Sequence, residues 1–254
     1  MKIMCSARLV LTAASGTLAL SGPAYAAGYG FIGDSITAGY GLPPAPSGNS
    51  LITDSFARRI AGNGPYPLIV TVAFNGKSTE DWLPETGLFQ YAYNLFNQAG
   101  IDTVIITLGV NDSRKPNLYE PERYAANLTR ITRALLRPES TVKKISLNCP
   151  TYVVPGSFDQ WSDHSNTLMQ SYALTHEQMV DGTRIILGDR TSYAYMRDTP
   201  SARPDGVHPN EEGAEYMGSS WATPFIVPEI GTFWMAICGV GALVNGSYRK
   251  TRKI

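Results

Sequence analysis

The sequence predicts an α/β fold in which a parallel β-sheet is covered by helices on both faces. Short apolar or β-branched segments alternate with longer segments of helical periodicity, and the short segments end at glycine or proline. No long linker divides the middle of the chain. Strands that alternate with helices form parallel sheets, and such sheets bind ligands at the carboxyl ends of their strands. The residues that follow each strand are therefore the candidates for a functional site.

Five segments are predicted as strands because each is short, rich in apolar or β-branched residues, and closed by a breaker. The third has the strongest strand pattern and ends at Gly109. The predicted segments are 29–34, 67–74, 101–108, 143–149 and 183–187.

Helical periodicity is clearest in three of the intervals between strands. The second of these helices is expected to begin at Pro121 and to end before Pro138, since proline favours a helix start and breaks a helix interior. The residues that mark the three helix faces are Leu51, Phe56 and Ile60; Tyr124, Leu128, Ile131 and Leu135; and Leu168, Tyr172, His176 and Met179.

Residues 1–26 have the layout of a secretory signal peptide. Lys2 and Arg8 precede an apolar run over 9–20, and a small-residue cleavage site follows at 24–26. An N-terminal membrane anchor is the alternative, but the run is short and rich in glycine, serine and threonine. We expect cleavage after residue 26, export, and a single domain over 27–226.

Residues 227–254 form a separate C-terminal tail. An apolar stretch over 231–244 is shorter than a membrane span and is followed by a basic cluster over 249–253. Together with Pro228 this resembles a PEP-CTERM sorting tail, although Ile230 departs from the motif. The resemblance implies exosortase-type processing and a periplasmic, envelope or extracellular location, with transient anchoring in the membrane. A plain membrane tail and a last core helix are the alternatives.

Charge and cysteine content exclude other classes. Without the two end segments the domain has 15 basic and 20 acidic residues, a net charge of −5, so we expect no nucleic-acid partner. Cys149 is the one cysteine in the domain, so no internal disulfide is expected. The chain has three histidines and no zinc-type spacing, which disfavours a metal site.

Three of the predicted strands are followed by residues that can serve chemistry. Ser35, in Gly33-Asp34-Ser35, follows the first strand and can expose its hydroxyl, although a helix cap is the plain alternative. Gly76 follows the second strand and lets backbone approach a ligand closely. Asn111 follows the third strand and can point an amide donor to the same edge, although either residue alone also fits a turn.

Near the end of the domain lies the sequence Asp205-Gly206-Val207-His208. An aspartate three residues before a histidine can hold the imidazole through its Nδ1–H, which leaves Nε2 free to take a proton. An exposed loop histidine is the alternative for this motif alone.

These four motifs, in this order, resemble the SGNH/GDSL hydrolase family over about residues 28–222. The resemblance implies a three-layer flavodoxin-like fold and a five-stranded parallel sheet. It also implies Ser35 as nucleophile, His208 as base and Asp205 as its orienting partner. The oxyanion hole would consist of the Ser35 and Gly76 backbone N–H groups and the Asn111 side chain.

The resemblance thus implies a serine esterase that needs no cofactor, and the signal-peptide pattern adds export; we also expect a monomer. An acylated carbohydrate, as in O-deacetylation, is the first expectation for its ester substrate. A lipid ester or thioester is the second. Acyl transfer to a sugar would use the same residues, and a non-catalytic polysaccharide-binding surface protein with the same fold is the alternative from a different class.

Overall fold

The computed structural model describes residues 28–114 and 120–226. Within them, five parallel strands form one sheet in the order β2-β1-β3-β4-β5. Each strand overlaps its predicted segment, so the prediction of a five-stranded parallel sheet is confirmed. The strands are β1 (Gly28–Gly33), β2 (Leu68–Ala73), β3 (Thr103–Thr107), β4 (Lys144–Leu147) and β5 (Ile185–Leu187).

The three predicted helices are present as α2, α5 and α6 in the list that follows. The other helices lie where no helical periodicity was recognised, and α1 and α4 are only single turns. The helices of the described residues are α1 (Ser35–Ala38), α2 (Leu51–Ala61), α3 (Gly87–Ala99), α4 (Val110–Ser113), α5 (Pro121–Leu135), α6 (Asp163–Met179), α7 (Ser192–Asp198) and α8 (Glu211–Ile226).

Helices cover both faces of the sheet, and β1 shows this directly because successive residues of a strand point to opposite faces. Phe31 packs on Phe56 of α2 and Trp221 of α8, with ring centroids 5.1 and 6.2 Å away. Gly30 faces the other side, where a Cβ would lie 2.8 Å from Phe96 of α3. Gly30 therefore lets α3 pack closely on β1, and the molecule has the predicted three layers.

The centre of the sheet is the most buried part of the fold. All five residues of β3 are buried, whereas the edge strands β2 and β5 are mostly half-buried. A strand covered on both faces needs apolar or β-branched residues on both sides, which explains why the third segment has the strongest strand pattern.

The helices α2 and α8 pack closely along one face. Gly218 makes this contact possible, because a Cβ there would lie 2.3 Å from the backbone oxygen of Ile52. Beside it, the Ser55 hydroxyl donates to the backbone oxygen of Glu215 at 3.0 Å. The last helix is thus fixed to the first long helix of the domain.

The strand order places a crevice at the carboxyl ends of β1 and β3. The chain runs from β1 to β2 on one side and then returns to β3 on the other side of β1, so successive connections diverge at this point. Ligand sites of doubly wound sheets occupy this crevice. Ser35 lies two residues after the end of β1, and Asn111 lies four residues after the end of β3.

Candidate active site

Ser35 is the first residue of α1 and is separated from β1 by Asp34 alone. The helix cap is Asp34, whose Oδ1 accepts a hydrogen bond from the Ile36 backbone N–H at 2.9 Å. Ser35 itself therefore does not cap the helix, and its hydroxyl is left for another partner. The serine is 8% exposed, which places it at the bottom of a cavity.

That partner is His208, which comes from the loop before α8. His208 Nε2 lies 2.9 Å from Ser35 Oγ, and His208 Nδ1 lies 2.7 Å from Asp205 Oδ2. Asp205 also folds the loop, since its Oδ1 accepts from the backbone N–H groups of Val207 and His208 at 2.9 and 2.7 Å. One carboxylate thus orients both the histidine ring and the backbone that carries it.

These hydrogen bonds determine the protonation of Asp205 and the position of the proton on the His208 ring. Burial alone would raise the pKa of Asp205, but the hydrogen bonds from the His208 side chain and backbone and from the Val207 backbone hold it below its usual value. A charged carboxylate only accepts, so the imidazole proton lies on Nδ1. Nε2 of a neutral His208 is then an acceptor that faces the Ser35 hydroxyl.

Two of the three predicted oxyanion donors are free. Among the described residues, no group accepts a hydrogen bond from the backbone N–H of Ser35 or of Gly76. Gly76 lies in a turn with φ +73°, a conformation that glycine adopts without strain. The third donor is already engaged, since Asn111 Nδ2 donates to Asp34 Oδ2 at 3.2 Å and to the Lys77 backbone oxygen at 3.1 Å. A bound oxyanion would compete with these acceptors.

Buried carboxyls hold the segments around Asn111. Asp112 accepts hydrogen bonds from the backbone N–H and hydroxyl of Thr79 at 3.1 and 2.5 Å. Burial raises the pKa of Asp34 to about 7 and that of Asp112 to about 6, although their hydrogen bonds act in the opposite direction. Through its hydrogen bonds with Ile36 and Asn111, Asp34 contacts both the turn that carries the serine and the asparagine across the crevice.

The Ser35 hydroxyl opens into a cavity of about 190 Å³. Tyr40 forms one side of it, with its ring centroid 4.6 Å from that of His208 and half of its surface exposed. Phe158, also half exposed, forms another side, with its ring 6.2 Å from His208. Trp161 is fixed behind it by a hydrogen bond from Nε1 to the Val110 backbone oxygen at 2.9 Å.

Two wider grooves adjoin this cavity. One, of about 600 Å³, shares Gly76, Asn111 and Arg114 with it. The other, of about 630 Å³, shares Tyr40 and His208 with it. A substrate larger than the acyl group at Ser35 can therefore extend from the cavity in two directions.

The predicted site residues Ser35, Gly76, Asn111, Asp205 and His208 all lie within one site. Sequence reasoning missed the groups that surround them. The aromatic walls, Arg114 and Gln160 lie in segments with no recognisable motif, and Asp34 was identified only as part of the serine motif. These additional lining residues are Tyr40, Asn75, Arg114, Phe158, Gln160 and Trp161.

The other two histidines have different surroundings. His176 is buried, as its place on an apolar helix face predicts, and its Nε2 lies 2.7 Å from the Tyr124 hydroxyl. Burial lowers the pKa of His176 to about 3, so it is neutral. His164 is exposed in the first turn of α6.

Residues 31–216 of the chain match the model of the GDSL-like Lipase/Acylhydrolase family. The chain belongs to this family. As a GDSL-like acylhydrolase it is a hydrolase that acts on ester bonds, which confirms the predicted family resemblance. The matched range begins within β1 and ends within α8, so it contains Ser35, Gly76, Asn111, Asp205 and His208.

Solved structures of other esterases share the acylhydrolase fold. Est24, a carbohydrate acetylesterase from Sinorhizobium meliloti, is 18% identical with a TM-score of 0.56, over 78% of this chain and 98% of its own. Axe2, an acetylxylan esterase from Geobacillus stearothermophilus, is 19% identical with a TM-score of 0.58, over 80% and 97%. A lipase/acylhydrolase from Enterococcus faecalis is 21% identical with a TM-score of 0.54, over 78% and 94%. A search of curated proteins finds no significant match.

The predictions for the two ends concern other residues. The signal peptide over 1–26 and the tail over 227–254 lie outside the described residues. Within the described part of this acylhydrolase, no helix is both long and apolar enough to cross a membrane.

Proposed function

We propose that this acylhydrolase is an exported serine esterase that removes short acyl groups, such as acetyl, from a carbohydrate. The observation that carries the proposal is the chain of hydrogen bonds from Asp205 through His208 to Ser35, at 2.7 and 2.9 Å. A serine hydroxyl is a weak nucleophile until a base accepts its proton, and this geometry supplies the base together with the group that orients it.

The reaction proceeds through an acyl-enzyme. Ser35 Oγ attacks the ester carbonyl carbon while His208 Nε2 takes its proton, and Asp205 stabilises the resulting imidazolium. The tetrahedral intermediate collapses as His208 returns the proton to the departing sugar oxygen. Water, activated by His208 in the same way, then attacks the acyl-enzyme and releases the carboxylic acid and Ser35.

The oxyanion of each tetrahedral intermediate is stabilised by three donors, two of which are free before the reaction. The free N–H groups of Ser35 and Gly76 supply two of them. Asn111 supplies the third by exchanging its bond to the Lys77 backbone oxygen for one to the oxyanion, while Asp34 keeps the other amide proton. Donors fixed before the reaction need no reorganisation when the charge develops, and this accounts for their large effect on rate.

Variants of a related esterase support this assignment of roles. Catalytic mutants of Axe2 replace a serine, an aspartate and a histidine by alanine, and in that protein the aspartate precedes the histidine by three residues. Asp205 and His208 have the same spacing.

The dimensions of the site favour a short acyl group. The cavity at Ser35 has about 190 Å³, below the roughly 300–1,000 Å³ of pockets that enclose a drug-sized ligand. Trp161 is buried and fixed by its hydrogen bond to Val110, so it closes this space behind Phe158. An acetyl group fits such a cavity, whereas an eight-carbon acyl chain is too long for it and would extend into the adjoining space.

The surroundings of the cavity favour a carbohydrate as the alcohol part of the ester. The half-exposed rings of Tyr40 and Phe158 lie on either side of His208 and offer apolar faces to a sugar ring. Both adjoining grooves are open, and the one that shares Gly76 and Arg114 with the cavity is lined largely by polar residues, which suits hydroxyl groups. Both Est24 and Axe2 are named as esterases of acetylated carbohydrates.

Hydrolysis of p-nitrophenyl acetate and p-nitrophenyl octanoate at pH 8 tests the proposal, with Ser35→Ala as the inactive variant. Ser171→Ala, which changes a serine on the surface of α6, is the matched control. We expect rapid hydrolysis of the acetate, slow hydrolysis of the octanoate, and loss of both in Ser35→Ala alone. Faster hydrolysis of the octanoate would favour a lipid ester. Equal rates in wild type and Ser35→Ala would contradict a serine esterase.

Release of acetate from acetylated xylan, compared with release from triacetin, tests the carbohydrate part. We expect xylan to be the better substrate, and a preference for triacetin would contradict this part while leaving the serine mechanism intact.

Export has its own test in the N-terminal sequence of protein recovered from cells. A chain that still begins at Met1 would contradict it, and a tail that keeps Arg252 and Lys253 would exclude processing of the tail.

A further inference from the structure

The turn that carries Gly76 is held by side chains from one short segment, 111–114. Asn111 Nδ2 donates to the Lys77 backbone oxygen at 3.1 Å, and an Arg114 terminal nitrogen donates to the Gly76 backbone oxygen at 3.3 Å. Residues three apart lie on the same side of a helical turn, which explains how the two side chains reach successive carbonyls. The first of these residues is the predicted oxyanion donor, and the second has no role in the mechanism above.

Arg114 also reaches the opposite wall of the cavity. Its other terminal nitrogen donates to Gln160 Oε1 at 3.0 Å. Gln160 precedes Trp161, whose indole is fixed to the Val110 backbone oxygen, and follows the segment that carries Phe158. The planar guanidinium therefore joins the turn of Gly76 to the aromatic wall with two hydrogen bonds of fixed relative direction.

The charge of Arg114 has no partner within the described residues. No carboxylate there lies within ion-pair distance of it, whereas Lys77 in the same groove is paired with Asp81 at 3.1 Å. The Nε of Arg114 is buried without a hydrogen-bond partner in the described part of the chain. Burial of an unsatisfied donor is unfavourable for stability. If Arg114 served only to stabilise the fold, its charge and its buried Nε would be expected to have partners.

We infer that Arg114 is a positioning residue for the oxyanion hole, an inference that rests on the proposed function. It fixes the Gly76–Lys77 peptide, so that the preceding N–H of Gly76 stays directed at the oxyanion. Gly76 lies in a turn with φ +73° and is itself conformationally permissive, so the turn depends on such external bonds. Because Gly76 acts on the charge that develops in the transition state, misplacing its N–H lowers kcat more than it raises KM.

The test compares Arg114→Met and Arg114→Lys with wild type in the full chain, using p-nitrophenyl acetate. Arg130→Met is the matched control. It removes an exposed arginine of α5 that is paired with Glu85. We expect kcat of Arg114→Met to fall about 10–100-fold with KM within about twofold, because the loss should be smaller than that of a complete oxyanion donor. Arg114→Lys should recover part of kcat, since it keeps a donor but loses the fork. Arg130→Met should retain wild-type values.

A combination with Asn111→Ala separates positioning from general stability. If Arg114 and Asn111 act on the same oxyanion, the loss in the double variant is smaller than the product of the single losses. Unchanged kcat in Arg114→Met, a change in KM alone, or strictly multiplicative losses would overturn the inference. If Arg114→Met does not fold, a wild-type kcat in folded Arg114→Lys overturns it. A wild type without Ser35-dependent hydrolysis would instead overturn the proposed function, and this inference with it.

Discussion

At the scale of residues, Asp34 connects the two halves of the site. Its Oδ1 fixes the turn that carries Ser35, and its Oδ2 holds one amide proton of Asn111. The sequence shows Asp34 beside the serine, but it does not show that a residue 77 positions away is its second partner. Asp34 is therefore part of a recognisable motif, but its second hydrogen-bond partner is visible only in the folded chain.

The side chain of Asn111 is expected to act in the transition state. In Asn111→Ala the oxyanion loses one of three donors, so kcat for p-nitrophenyl acetate should fall on the order of 10²–10³-fold. Asn94→Ala, which changes an exposed asparagine on α3, serves as the control and should keep wild-type kcat. Unchanged turnover in Asn111→Ala would show that Asn111 is not an oxyanion donor.

The residues predicted from the sequence are those that carry chemistry in a fixed motif. Ser35, His208 and Asp205 were predicted because a serine after a strand and an aspartate three residues before a histidine each suit nucleophilic catalysis, and the structure brings the three side chains within hydrogen-bond distance. Arg114 and Phe158 were not found. Their positions depend on how the loops over 75–79 and 154–161 pack on α4, and residue type and spacing carry no signal for that packing.

At the scale of elements, strands were predicted better than helices. A strand buried on both faces, such as β3, is rich in β-branched and apolar residues and is easily recognised. The helix α8 contains Gly213, Gly218 and Pro224, which are poor helix formers. Local propensity therefore does not predict a helix there. Tertiary packing against α2 stabilises it instead.

This packing predicts the effect of a methyl group at Gly218. A Cβ at that position would lie 2.3 Å from the Ile52 backbone oxygen, so α8 must move away from α2 in Gly218→Ala. We expect the free energy of unfolding to fall by about 1–3 kcal/mol, the usual cost of overpacking. Gly87→Ala is the matched control, because Gly87 is also helical and has open space around it.

Urea denaturation of both variants measures the difference. Gly87→Ala should be neutral or slightly more stable than wild type, since alanine is the better helix former. A Gly218→Ala variant as stable as wild type would show that the two helices do not pack as closely as described.

At the scale of the whole molecule, the pH dependence of stability depends on buried titratable groups. Burial raises the pKa of Asp34 from 3.8 to about 7, so the folded state keeps a proton that the unfolded chain has released. This contribution makes the protein less stable as pH rises from about 4 to about 7. Burial lowers the pKa of His176 from 6.5 to about 3 and has the opposite sign, with stability lost as pH falls below about 6.5.

Because these effects oppose each other, a variant is needed to separate them. In Asp34→Asn the contribution of Asp34 is absent, so the destabilisation relative to wild type should be larger at pH 5 than at pH 8. The difference should exceed about 1 kcal/mol, since one pKa unit corresponds to about 1.4 kcal/mol. Denaturant unfolding at the two pH values measures it. An equal destabilisation at both would contradict a raised pKa of Asp34.

Ser35 is proposed to be a nucleophile that His208 activates, and covalent trapping tests this role most directly. Wild type, Ser35→Ala and His208→Ala are each incubated with a fluorophosphonate, and the intact mass and the modified peptide are measured by mass spectrometry. We predict that wild type gains one phosphonyl group on Ser35 and that neither variant is labelled at a comparable rate. Labelling of another residue, or equal labelling of wild type and Ser35→Ala, would contradict the account.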